Sequence, residues 1–148
     1  MYQHLLVPTD GSRLSLAAAA AACRFAREAG ARLTVLNVRA NAPLGLTYGA
    51  GEWIQPSTLQ EIEEVGKEAS QRALAEVMSL AAEAGVEAAS ESVVNDSPSE
   101  AILAAADRHG CDLIFMASHG RRGLTGLLIG SQTQRVLAQA KQPVLVYR

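Results

Sequence analysis

Aromatic residues make up only 4% of this 148-residue chain, and it has just two cysteines. Cys23 and Cys111 show no CxxC spacing and have no histidine cluster beside them. A disulfide framework is therefore not expected, and both read as small buried hydrophobes. His4, His109 and His119 are too scattered to suggest a metal site. Charge of one sign is also lacking. Thirteen basic against fifteen acidic residues leave a formal charge of −2, which gives no broad positive surface for nucleic acid. The apolar run Leu16 to Cys23 is mostly alanine and falls well short of the ~20 residues a membrane span needs. Pro8, Asp10 and Gly11 interrupt the stretch where the apolar core of a signal peptide would sit. These absences predict a cytoplasmic protein with neither membrane nor nucleic acid as a partner.

What is present fits one globular domain over residues 1–148, with 49% hydrophobic and 19% charged residues. Leu5-Leu6-Val7 is a short apolar run that stops at the turn-rich cluster Pro8-Thr9-Asp10-Gly11-Ser12. Arg13 to Ala29 is alanine-rich and nearly free of helix breakers, and Gly30 supplies the stop expected past a helix end. Leu33 to Val38 is almost continuously apolar, as a strand covered on both faces would be. Ala40 to Ser57 carries Pro43, Gly45, Gly49, Gly51 and Pro56 without a sustained period, which predicts a long connection of the kind usually kept for function. Leu59, Ile62, Gly66, Ala69, Ala73, Val77, Leu80 and Ala84 then recur at helical steps, with Ser57 or Thr58 as cap and Gly85 as stop.

A looser strand pattern spans Glu87 to Val94. Asn95-Asp96-Ser97-Pro98 turns the chain into a helix with Ser97 as N-cap, ending near Gly110. Asp112 to Ala117 and Pro143 to Tyr147 read as the last two strands, with a glycine-rich loop and a helix reaching about Ala140 between them. Strands alternate with helices throughout, so the fold class is α/β with a mostly parallel sheet and right-handed crossovers.

In such sheets ligands bind beyond the carboxyl ends of the strands, where the strand order reverses. Pro8-Thr9-Asp10 and Ser118 to Thr133 occupy such places. The second segment contains Gly120, Gly123, Gly126 and Gly130, followed by Ser131, Gln132 and Thr133. Glycines allow a backbone to approach an anion closely, and free amides at the next helix start supply donors. Ser131 and Thr133 add hydroxyls, and Arg121 or Arg122 offers a fork to a phosphate. A loop of this composition can also do no more than turn the chain, so on these residues alone both readings stand. Asp10 likewise reads as ligand or as helix cap, and His119 as an exposed loop residue.

Over nearly its whole length the sequence resembles the universal stress protein family. The resemblance rests on Val7-Pro8-Thr9-Asp10-Gly11-Ser12, Leu36-Asn37-Val38, Asp112 through Arg121, and Gly130-Ser131 through Gln142-Pro143-Val144-Leu145-Val146. It implies a three-layer, Rossmann-like fold: an open twisted five-stranded parallel sheet in the order 3-2-1-4-5. Members are usually dimeric and either bind ATP or lack that capacity. ATP-binding members look like Gly, two residues, Gly, nine residues, Gly, then Ser or Thr. Gly120, residues 121 to 129, Gly130 and Ser131 fit this pattern, whereas Ala117 stands at the first glycine position. Carried over residue by residue, Asp10 would lie at the ribose beside Pro8 and Thr9, and the Val38 backbone would face adenine. Met116 and Ala117 would flank the sugar, and Gly120, Arg121, Gly130, Ser131, Gln132 and Thr133 would hold the phosphates of ATP, with or without Mg²⁺. The implied role is a stress-response or regulatory module with little or no turnover.

Rival readings fare worse. A Walker-type NTPase needs lysine after the glycine, and Gly130 is followed by Ser131. No paired carboxylates or nucleophile elbow suggest a dedicated hydrolase. A phosphoacceptor receiver domain would carry an acidic pair after its first strand, where only Asp10 stands. The remaining alternative is a stress protein that binds no nucleotide and acts through dimerisation and partners. Val144 to Tyr147 forms a bare hydrophobic edge, which predicts a homodimer through that strand.

Overall fold

Leu5, Leu6 and Val7 are completely buried, so the strand that carries them, β1 (His4–Pro8), is covered on both faces. The computed structural model describes residues 1–41, 56–120 and 129–148. Within them β1 is followed by α1 (Arg13–Ala29), β2 (Arg32–Arg39), α2 (Pro56–Ala84), β3 (Ala88–Val94), α3 (Pro98–His109), β4 (Leu113–Ala117), α4 (Ser131–Gln139) and β5 (Val144–Tyr147). The five strands form one parallel sheet in the order β3-β2-β1-β4-β5, as expected. Strand order reverses between β1 and β4, which opens a crevice at their carboxyl ends.

The pleat sends alternate side chains to opposite faces. Leu5, Val7, Leu33, Val35, Leu113 and Phe115 meet Ala19, Ala22 and Cys23 of α1 and Val77 of α2. Leu6, Leu36, Ile114 and Met116 meet Ile102, Ala105 and Ala106 of α3 and Val136 of α4. Each large aliphatic side chain so buried stabilises the fold by about 1.5–3 kcal/mol. The small residues Ala18, Ala19, Ala22 and Ala26 form the buried stripe of α1. Both cysteines are buried, and burial raises both thiols, Cys111 to about 11, so each stays protonated and inert.

Two expectations need correction. Helix α2 begins at Pro56, so Ser57 and Thr58 fall inside its first turn rather than capping it; proline's fixed φ suits a first helical position. The expected apolar face of α2 is also only half used. Of the expected face, Ala73 and Val77 are buried, whereas Ile62 is 42% exposed; Ser70, Leu74 and Ala81, outside that expectation, complete the buried side, and Val65 is 63% exposed. No residue from Thr58 to Ala69 is buried, and only Leu59, Gly66 and Lys67 among them are half-buried. The expected long connection falls mostly on residues 42–55, outside the described set.

Candidate functional site

At the carboxyl end of β1 the chain leaves the sheet through a tightly bonded turn. Thr9 N donates to Leu36 O at 2.8 Å, and the buried carboxamide of Asn37 donates from Nδ2 to Thr9 O at 2.8 Å. Ser15 Oγ donates to Ser12 O at 3.0 Å, so the Thr9 hydroxyl, 3.2 Å away, is the donor to Ser15 Oγ. Thr9 Oγ1 in turn accepts from Gly11 N at 3.2 Å. Asp10 Oδ1 accepts from Ser12 N at 2.9 Å, and Ser12 Oγ caps α1 by accepting from Ser15 N at 3.2 Å. Asp10 thus shapes the turn while Ser12 serves as the helix cap. Asp10 itself is exposed.

The carboxyl end of β4 lies alongside. Ala117 pairs with Tyr147 as a strand residue, so its backbone is extended, the geometry alanine adopts without strain. Helix α4 is tied to this strand end. Gly130 N donates to Ser118 O at 2.6 Å, and Thr133 Oγ1 donates to Ala117 O at 3.1 Å. A β-carbon at Gly130 would stand 3.2 Å from both Cα and Cβ of His119 and 3.4 Å from Ser118 O. Gly120 is tighter, because a β-carbon there would collide with Asp10 Oδ2. Neither glycine takes the left-handed backbone, so space alone explains the residue.

The helices facing this edge differ in how their amino ends are satisfied. Helix α1 has Ser12. Helix α3 lacks a side-chain cap from Ser97, but its Ser99 N donates to Gln132 Oε1 at 3.1 Å. Helix α4 starts from Gly130 with no side-chain cap and no acidic residue in its first turn. Its first amides and the positive end of its dipole are therefore suited to an anion.

The predicted residues converge. Pro8, Thr9 and Asp10 end β1, Val38 lies near the end of β2, Met116 and Ala117 end β4, Gly120 adjoins Asp10, and Gly130, Ser131, Gln132 and Thr133 open α4. Arg121 and Arg122 lie outside the described residues. Two side chains are otherwise engaged: the Gln132 carbonyl holds α3, and the Thr133 hydroxyl holds β4, which leaves their amides for a ligand. Met116 is buried against the α3 and α4 face. A polar cleft of about 580 Å³ opens at the opposite end of the sheet, lined by Gln3, His4, Arg32, Glu87 and Asp112. No group of three His, Cys, Asp or Glu side chains among the described residues could hold a metal, there or elsewhere.

A sequence profile of the Universal stress protein family (Usp) matches residues 1–148. The chain belongs to the universal stress protein family. Universal stress protein MJ0531 of Methanocaldococcus jannaschii is 34% identical over 148 residues, which cover 100% of this chain and 83% of that protein. The solved structure of the Methanocaldococcus jannaschii protein MJ0577 superposes with a TM-score of 0.81 at 25% identity, covering 99% of this chain and 96% of that one. A universal stress protein solved in complex with cAMP gives a TM-score of 0.72 at 26% identity, covering 99% and 97%. No described helix of this universal stress protein is long and apolar enough to cross a membrane.

Sequence reasoning missed Asn37, which sits inside an apolar strand; it named Gln132 as a phosphate ligand but not the contact of its side-chain carbonyl with α3. A buried carboxamide in a β-branched run is itself a signal, because a polar group placed there needs a partner.

Proposed function

We propose that this protein binds ATP in the crevice between β1 and β4 and acts as a stress-response or regulatory module with little or no turnover. The observation that carries the reading is the amino end of α4, with neither side-chain cap nor first-turn acid, set at a strand end beside the Asp10 carboxylate. An acceptor for ribose hydroxyls and a set of amide donors for phosphates then lie at one strand edge. The solved relative in complex with cAMP supports an adenine nucleotide as the ligand class. Asp10, with Pro8 and Thr9 behind it, would hold the sugar, and the Val38 backbone would meet the base. Met116 and Ala117 would back the sugar. Gly120, Gly130 and the amides of Ser131, Gln132 and Thr133 would hold the phosphates, joined by Arg121.

Mg²⁺ would ride on the phosphates, which supply most of its oxygen ligands. Slow turnover follows from the side chains present. Ser118 meets His119 Nδ1 at 3.1 Å but is only 2% exposed, so its hydroxyl is not presented to a substrate. Residues 1–148 act as one nucleotide-binding unit in the cytoplasm, paired as a homodimer through Val144–Tyr147. The two sheet edges support that choice. Glu91 on β3 is held by Arg108 at 2.7 and 2.8 Å and by His109 at 2.7 Å, a charged guard, whereas β5 is half-buried and apolar.

Calorimetric titration with ATP, with and without Mg²⁺, tests the reading. Saturable one-site binding supports it, and no binding at millimolar ATP contradicts it.

A further inference from the structure

Peptide groups along β2 face its two neighbours alternately. Arg32 N donates to Gln3 O at 3.0 Å and Leu36 O accepts from Thr9 N at 2.8 Å, so even-numbered residues face β1. Leu33 N donates to Glu87 O at 2.9 Å and Arg39 O accepts from Asn95 N at 2.8 Å, so odd-numbered residues face β3. Val38 belongs to the first set. The β1 register ends with Pro8 opposite Leu36, so no β1 strand residue stands opposite Val38. If the ladder continued, the Val38 N–H would bond to Thr9 O. That carbonyl is taken instead by Asn37 Nδ2, at 2.8 Å, from a side chain only 6% exposed.

We propose that Asn37 is the specificity-determining residue of the nucleotide site. By drawing Thr9 O toward its carboxamide and away from Val38, it ends the β1–β2 ladder one bond early and leaves the Val38 N–H and C=O to read a base edge. This rests on the adenine-nucleotide reading given above. One N–H donor beside one C=O acceptor complements adenine, which offers an acceptor at N1 and a donor at its amino group. Guanine presents the reverse pair, and burying that mismatch lowers affinity on the order of tenfold to a hundredfold. Asn37 also acts as a positioning residue for the sugar, since the carbonyl it holds precedes the Asp10 peptide.

The test compares ATP with GTP in the wild type, in Asn37→Asp and in Asn37→Ala. Aspartate keeps the shape but sets an acceptor against the Thr9 carbonyl, and alanine removes the donor. The wild type should favour ATP by at least about tenfold, and both variants should lose most of that preference. Variants that stay folded and weaken both nucleotides equally overturn the inference, because a merely structural residue would behave that way. A measurement on the unaltered protein covers the case in which both variants unfold. The Val38 amide should exchange with solvent much faster than that of Leu36 without nucleotide, and slow by at least about tenfold with saturating ATP. A Val38 amide as protected as Leu36 in the nucleotide-free protein overturns the inference alone. Failure of the wild type to bind ATP overturns the reading beneath it, and the inference with it.

Discussion

The carboxylate of Asp10 rests against the α-carbon of Gly120, so that no side chain fits between them. Residues 110 positions apart in the sequence thereby join the loop after β1 to the loop after β4. The backbone of the Asp10 turn is held by Asn37 at Thr9 O and by Ser15 at Ser12 O, while the exposed carboxylate accepts from Ser12 N.

Substituting Gly120→Ala should therefore displace Asp10 without straining the backbone. Affinity for ATP is expected to fall at least about tenfold, or about 1.4 kcal/mol, with little change in Tm. Calorimetry beside a thermal melt checks both parts.

At Gly130 the obstacle is the backbone and side chain of His119 together with Ser118 O. Gly130→Leu should push the α4 amino end off β4. ATP binding should weaken by at least about tenfold, while adenosine, which lacks phosphates, should lose much less. Equal losses for the two ligands would mean that the phosphates lie elsewhere.

Ala117 is extended and paired with Tyr147, so glycine at this position relieves nothing. Ala117→Gly should leave ATP affinity within about threefold and lower stability by about 0.5–1 kcal/mol through backbone entropy. A tenfold gain in affinity would show that the methyl group obstructs the nucleotide.

The sequence located both ends of α1, Arg13 and Ala29, because alanine propensity and the flanking Ser12 and Gly30 agree. Strand alternation gave the α/β class, whereas the order 3-2-1-4-5 came from the family resemblance, since periodicity does not specify which strands are neighbours. The start of α2 escapes the sequence because Pro56 follows Pro43, Gly45, Gly49 and Gly51 and so falls within a connection by composition. Exposure of Ile62 was missed because helical spacing marks a face without saying how far the sheet extends beneath it. Glycines and turn chemistry mark Pro8-Thr9-Asp10 and Gly120 to Thr133 in the sequence as candidates. The Asn37 carboxamide carries no such mark, because its work is done across elements distant in sequence.

His4 supplies a pH prediction. It is buried, with Nε2 2.8 Å from Thr34 Oγ1 and no partner for Nδ1. Burial, reinforced by Arg32 and His109, holds it below its ordinary 6.5. The unfolded chain thus takes up this proton more readily than the folded one. The stability involved is fully present above pH 6.5 and is lost as pH falls below that value, at up to about 1.4 kcal/mol per pH unit. Urea unfolding between pH 7.5 and 5 should show the loss in the wild type and a shallower dependence in His4→Leu.

The proposed dimer can be broken without touching the sheet. Ile114 N donates to Pro143 O and Ser118 N to Tyr147 O, so odd-numbered residues of β5 face β4 and the amides of Val144 and Val146 point outward. Val146→Pro removes one outward donor at an edge where proline is tolerated. Sedimentation should show a dimer for the wild type and a monomer for the variant. A dimer unaffected by this change would place the interface elsewhere.

The place where ATP binds is open to direct measurement. An NMR titration of the amide resonances with ATP should move Asp10, Val38, Gly120 and Gly130 through Thr133, and leave Gln3, Arg32, Glu87 and Asp112 at the opposite end of the sheet unchanged. No movement at millimolar ATP, or movement confined to that opposite end, would contradict the proposed site.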